Sequence, residues 1–175
     1  MKLLAFAASS NSKSINKLLA SYAASLIGNA DVDILDINDY EMPLFSQDKE
    51  AILGQPDEAK AFYKKIGEAD AIIISFAEHN GSYTAAYKNL FDWTSRINQK
   101  LFQNKPMILL STSPGPGGGA TVLNAAVTSA PYFDGDVRAS LSIPSFYDNF
   151  DTETQKITSQ EILKKLNEAV ATLVE

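Results

Sequence analysis

"AIIISFAEHNGSYTAAYKNLFDW", residues 71 to 93, decides the fold. Its first six residues are a continuous apolar run, as expected of a central parallel strand covered on both faces. Asn80-Gly81 follows as a strong turn signal. From Thr84 to Asn98 the apolar spacing predicts a helix. Strand, polar turn and helix make one βα unit, and the rest of the chain repeats it. "KLLAF" (2 to 6) reads as a short buried strand. Ile15, Leu18, Leu19, Tyr22, Ala23 and Leu26 then recur at helical spacing, with Gly28 placed to end that helix. "VDILDI" (32 to 37) alternates as a strand does, and "NDYEMPLFSQDKE" (38 to 50) is a loop. Ala59, Phe62, Tyr63 and Ile66 mark a second helix, acidic at its start (Asp57, Glu58) and basic at its end (Lys64, Lys65), closed by Gly67.

"MILLSTS" (107 to 113) is another central strand, "ATVLNAAVTSA" (120 to 130) a helix, and "DVRASLSI" (136 to 143) a later strand. Thr158 and Glu161 have the spacing of a capping box, and Ile162, Leu163, Leu166, Val170 and Leu173 form a final amphipathic helix. Alternating β and α elements imply a parallel sheet with helices on both faces. Five strands favour the flavodoxin-like order 2-1-3-4-5, a three-layer α/β sandwich, in one domain spanning residues 1 to 175.

Composition narrows the function. There is no cysteine, so disulfides, thiolate metal sites and cysteine nucleophiles are excluded. This fits a reducing compartment, and a cytoplasmic location is expected. No apolar run reaches the ~20 residues of a membrane span. "MKLLAFAAS" is too short in its apolar part for a signal peptide and reads as the first strand. The formal charge of −6 argues against non-specific binding to nucleic acid or an anionic membrane.

In such sheets, ligands bind at the carboxyl ends of the strands. Three loops reach that edge. "ASSNSKSIN" (8 to 16) puts small hydroxyls between a strand and a helix start, where backbone N–H groups and the positive dipole end suit a phosphate. Ordinary helix capping explains the same residues. "EHNGS" (78 to 82) offers polar edges and bare backbone. "STSPGPGGG" (111 to 119) holds four glycines and two prolines, which suits close approach to a flat ligand or simply a surface turn. There is no G-x-G-x-x-G, and "GPGGGAT" lacks the lysine of a P-loop. On the helix after the second loop, Tyr83, Ala86, Tyr87, Leu90, Phe91, Trp93 and Ile97 cover an arc of roughly 160°, wider than the ~100° that covers one sheet. That arc fits a large core helix or a face that packs on another subunit.

At these residues the sequence resembles the NAD(P)H-dependent FMN reductases, flavodoxin-like proteins that include quinone, chromate and azo-dye reductases. The family's G-S-x-R-x-x-S-x-N is matched by Ala8 to Asn16, its P-E-Y-N-x-S-x-P-x-x-L-K-N-x-x-D-W by Ala77 to Trp93, and its serine-plus-glycine loop by Ser113 to Gly119. The second match is the specific one. The resemblance implies non-covalent FMN. Ser9, Asn11, Ser14, Ile15 and Asn16 would cradle its phosphate. Glu78, His79, Asn80 and Gly81 would line one side of the ring system, and Ser113, Pro114 and Gly115 the other. Lys88, Asn89, Asp92 and Trp93 would orient the third helix and the loop before it. It further implies NADPH or NADH as co-substrate, a small-molecule electron acceptor (quinone, azo compound, metal oxyanion or free flavin), a ping-pong cycle, and a homodimer or homotetramer. A flavodoxin-like electron carrier, or a binding module without flavin, would share the fold. Asn11 stands where the family has Arg, Ala77 and Thr84 stand where it has prolines, and His79 replaces a tyrosine. The proline losses predict a less stiff second loop.

His79 is the only histidine. It has no His or Cys company for a metal, so no metal is expected. Hydride transfer to a flavin needs no protein acid or base, so no catalytic residue is expected and His79 is a wall of the flavin site. Its neighbour Glu78 makes an acid–base role the alternative.

Overall fold

The computed structural model describes residues 1 to 174. Five parallel strands form one sheet in the order 2-1-3-4-5: β1 (Lys2–Ala8), β2 (Asp31–Leu35), β3 (Ala71–Phe76), β4 (Lys105–Thr112) and β5 (Gly135–Ile143). The order and the direction of every pair agree with the expectation. β1, β3 and β4 are the interior strands, and their alternate side chains feed two separate cores. Leu4, Phe6, Ile72, Ile74, Phe76, Met107 and Leu109 face one layer, while Leu3, Ala5, Ile73, Ile108 and Leu110 face the other.

Helix α1 (Ile15–Ser25) and the last helix, α7 (Gln160–Ala171), cover the second face. α3 (Asp57–Glu68), α4 (Ala85–Ser95) and α5 (Ala120–Ser129) cover the first. The two-sided burial is why "AIIISF" carries no polar alternation except Ser75, which is itself buried. β2 is an edge strand, and Val32 and Ile34 stay exposed there.

Several local details differ from the sequence expectation. The segment 38 to 50, expected as a loop, begins inside a 3₁₀ turn (Ile37–Tyr40) and ends in a short helix α2 (Gln47–Leu53). Ser46 caps α2 through its side chain, but the helix buries none of its residues, so it leaves no apolar periodicity to read. Gly67 lies within α3, whose C-cap is Ala69, and α1 closes at Leu26, ahead of Gly28. The capping residue of α7 is Ser159, which accepts from the Ile162 N–H; Glu161 pairs instead with Lys165. Thr158 therefore forms no capping box. A four-residue helix α6 (Phe146–Asn149) and a small hairpin, β6 (Phe150–Asp151) with β7 (Lys156–Ile157), fill the stretch between β5 and α7.

The glycine loop after β4 is anchored at Gly118. Its φ is +59°, and a Cβ there would sit 2.5 Å from Ser142 Oγ and 3.0 Å from the Ile143 carbonyl carbon. Its own carbonyl accepts from Ser111 Oγ at 2.7 Å and Ser142 Oγ at 3.0 Å. Gly115 has open space around it and no positive φ. Gly118→Ala should cost about 2–5 kcal/mol, from the left-handed backbone and the overpacking. Gly115→Ala should stay within roughly 0.5 kcal/mol of wild type. Equal urea midpoints for the two variants would show that the loop is not anchored at Gly118.

Candidate flavin site

Loop by loop, the carboxyl edge of the sheet builds a cleft of about 240 Å³. Ser9 to Asn16 bring the end of β1 and the start of α1, Ala77 to His79 follow β3, and Thr112 to Pro114 follow β4. Of the residues singled out in the sequence, Ser9, Asn11, Ser14, Ile15, Asn16, Glu78, His79, Ser113 and Pro114 line this one cleft. Asn80, Gly81 and Gly115 do not. Asn80 and Gly81 form the exposed tip of a tight hairpin, with φ of 52° and 76° as a primed turn requires. The hairpin is closed by His79 N–H to Ser82 C=O (3.0 Å) and the reciprocal bond (3.1 Å).

The residues of the first loop divide into anchors and free donors. Ser14 caps α1, its side chain accepting from Lys17 N–H, and Ser9 Oγ accepts from Asn11 N–H. Asn16 is 2% exposed, and its amide is turned into the sheet. Oδ1 accepts from Ser75 Oγ (2.7 Å) and Thr112 N–H (3.0 Å), and Nδ2 donates to Thr112 C=O (3.1 Å). That side chain ties α1 to β3 and β4; it is a strut of the cleft more than a donor into it. The backbone N–H groups of Ile15 and Asn16 have no partner among the described residues. They are the open donors at a helix start that an anionic group needs.

Thr84 carries what a proline would otherwise supply. Its hydroxyl donates to Ala8 C=O at 3.0 Å and accepts from Tyr87 N–H at 3.2 Å. The second loop is thus pinned to the first, and the expected loss of stiffness is offset by hydrogen bonds. Glu78 pins it on the other side: Oε2 accepts from Val122 N–H at 2.8 Å, at the N-terminus of α5, where a carboxylate is favoured. The Glu78 carboxylate makes no hydrogen bond or ion pair with His79 among the described residues, and the His79 side chain is exposed and without a hydrogen bond there. Asn89 and Trp93, expected to orient α4 and the loop before it, tie α4 to the loop after β2, with Asn89 bonded to Met42, Pro43 and Phe45 and Trp93 Nε1 to Pro43 C=O at 2.7 Å. Lys88 and Asp92 form an exposed pair with each other.

Sequence reasoning missed a fourth loop. Ser145 N–H donates to Gly115 C=O (2.9 Å) and Phe146 N–H to Ser113 C=O (3.0 Å), which brings Tyr147 into the cleft lining. The stretch is "PSFYDNF", directly after the fifth strand, and the backbone bonds that carry it to the cleft leave no mark in its residue types.

A family model described as NADPH-dependent FMN reductase matches residues 1–148. The chain belongs to that family. It is 35% identical to a 2-hydroxy-1,4-benzoquinone reductase of Burkholderia sp over 122 residues, 69% of this chain and 64% of that protein. It is 32% identical to a quinone reductase of Escherichia coli over 124 residues, 65% of this chain and 63% of that protein. These alignments span less than two thirds of either relative. Among solved structures, FerB, a flavoenzyme NAD(P)H:(acceptor) oxidoreductase from Paracoccus denitrificans, superposes with a TM-score of 0.81 at 22% identity, over 99% of this chain and 94% of that one, and shares the fold. The family's description names FMN and the reduced nicotinamide NADPH. The donor set fits the group: two unpartnered helix-start N–H groups for a phosphate, beside a cleft whose walls are hydrogen-bonded to each other.

The first loop is steadied from β2 as well. Lys17 Nζ meets Asp36 Oδ2 at 2.7 Å, and Asn38 Nδ2 donates to both Asp36 and Ser10 C=O. The hydrogen bond from Lys17, then the Asn38 N–H, hold the Asp36 carboxyl below its ordinary range. A carboxyl depressed in the folded state stabilises above its unfolded value, about 3.9, and loses that contribution as pH falls through its folded value. The stability gap between wild type and Asp36→Asn should therefore be present at pH 7 and shrink below about pH 4. An unchanged gap in urea unfolding at pH 7 and pH 3 would refute the ionic role of this contact.

Proposed function

We propose that this chain is an FMN-dependent reductase that draws on NADPH or NADH and delivers to a small acceptor, with quinones first and azo compounds, metal oxyanions and free flavin as alternatives. The observation that carries it is the cleft in which three braced loops converge beside free helix-start donors, on a chain of this family. The names of the quinone reductases it resembles support the acceptor class. When bound, FMN would supply the hydride chemistry. The chain's own residues bind and orient. Ile15 and Asn16 offer backbone N–H groups, Ser113 and Pro114 form one wall, and His79 forms another through a backbone fixed by its hairpin bonds. Glu78 holds the loop through Oε2, which accepts from Val122 N–H, and it makes no hydrogen bond to His79 among the described residues.

Donor and acceptor then use the same open side in turn, a ping-pong order. Titration of the apoprotein with FMN, followed by flavin fluorescence, should show one-to-one binding, and steady-state NAD(P)H oxidation should give parallel double-reciprocal lines. His79→Phe should keep FMN and most of kcat. A loss beyond about a hundredfold with FMN bound would assign His79 an acid–base role. Absence of FMN binding at high micromolar concentration would end the reductase assignment.

We also propose that the chain pairs through α4. Between α4 and α5 lies an apolar groove of about 330 Å³ lined by Tyr83, Tyr87, Phe91 and Phe133. Tyr87 is 4% exposed and packs against Phe76, Tyr83 and Phe91. On the groove's rim Lys88 and Asp92 stand one turn apart, so a second copy related by a two-fold axis would exchange the two charges with it. Light scattering should report a dimer or tetramer, and Phe91→Glu should give a monomer. A monomeric wild type would remove this pairing.

A further inference from the structure

The cleft holds a charge imbalance that its backbone donors do not resolve. A phosphate monoester carries a charge of about −1.5 to −2 at pH 7. A helix start supplies the equivalent of roughly +0.5. The chain's formal charge is −6, so the wider field is unfavourable. Two lysines stand near the first turn of α1. Lys17 is taken: its ammonium lies 2.7 Å from Asp36. Lys13 lines the cleft, is exposed, and has no ion-pair partner among the described residues. Its backbone is held in place by the Asn11 side chain, which accepts from Lys13 N–H at 2.9 Å, one residue ahead of the Ser14 cap. Lys13 is the one cation in the cleft lining, since the remaining ionisable members are Glu78, His79 and Tyr147, and the carboxylate of Glu78 is bonded to Val122.

We infer that Lys13 is the residue by which this site selects a phosphorylated flavin over an unphosphorylated one, with Tyr147 beside it as a second phosphate-side contact from the loop after β5. This rests on the flavin-binding reading above. Tyr147 lines the same cleft with an exposed ring braced edge-on against Phe146 at 5.3 Å, and its hydroxyl has no partner among the described residues. Asn11 then has a positioning role: its amide oxygen sets the course of the loop and leaves charge compensation to the residue two places on.

The test compares FMN with riboflavin, which differ by the phosphate alone, in fluorescence titrations of the apoprotein at low and high NaCl. Lys13→Met should lower FMN affinity about tenfold, leave riboflavin affinity unchanged and flatten the salt dependence of FMN binding. Lys13→Arg should keep FMN affinity, and Tyr147→Phe should lower it several-fold with riboflavin again unchanged. Lys100→Met, a remote exposed charge, should alter neither ligand. Equal losses of FMN and riboflavin in a folded Lys13→Met protein would make Lys13 a structural residue and overturn the assignment. Wild-type affinity for FMN in that variant would overturn it too. If the wild type binds riboflavin as tightly as FMN, there is no selection to assign. If it binds neither, the flavin reading itself fails, and this assignment with it.

Discussion

The Asn16 side chain is the interaction on which the site depends. It is buried, carries no charge, and satisfies three polar groups at once on two neighbouring strands. Ser75 and Thr112 are both almost fully buried, so each would be left with an unpaired group if the amide were absent, at about 1–3 kcal/mol apiece. The geometric consequence matters as much as the energy. One amide fixes the start of α1 against the ends of β3 and β4, and those are the three elements whose loops make the cleft. The sheet supplies the floor, and Asn16 sets where the helix-start donors stand above it.

From that strut the loops brace one another. Thr84 joins the second loop to the end of β1, Glu78 joins it to α5, Ser145 and Phe146 join the fourth loop to the third, and the Asp36–Lys17–Asn38 group joins β2 to the first. Three of these bonds, those of Thr84, Glu78 and Asn38, connect a side chain to backbone, and two more join backbone to backbone. They fix backbone positions without consuming the N–H groups of Ile15 and Asn16. A site for a cofactor that brings its own chemistry needs this kind of construction, because the protein's task is placement.

The sheet was legible because its signals are collective. "AIIISF" and "MILLSTS" are long apolar runs bounded by polar loops, and no alternative element buries both faces so well. The order of five βα units then left few topologies. The misreadings were local. Helix α2 buries nothing, so no periodicity marked it. Thr158 and Ser159 are both good caps, and only the course of the chain from β7 decides between them. Gly67 reads as a terminator, but α3 runs one residue past it to Glu68. At the site, motif order gathered nine residues into the cleft but could not separate lining from strut. Asn16 and Ser14 carry the right chemistry for a ligand and spend it on the fold. Tyr147 escaped notice because its loop follows an edge strand, and its approach depends on two backbone bonds to residues 113 and 115 that leave no trace in sequence.

The departures from the family pattern are informative for the same reason. A proline at position 84 would restrict the backbone covalently; Thr84 achieves the restriction through one hydroxyl that both caps α4 and holds Ala8. An arginine at position 11 would place a cation directly; Asn11 instead shapes the turn that presents Lys13. In both cases the constraint acts on position and charge at the edge of the sheet, and residue identity is free to change where a neighbour can meet it. Position 16 differs. No other side chain of that length offers one acceptor for two donors and one donor for a carbonyl in a buried, uncharged group. A glutamine would overshoot, and an aspartate would bring a buried charge without the donor that Thr112 C=O requires. The exchange of chemistry between neighbours therefore stops where the fold and the site share a single side chain.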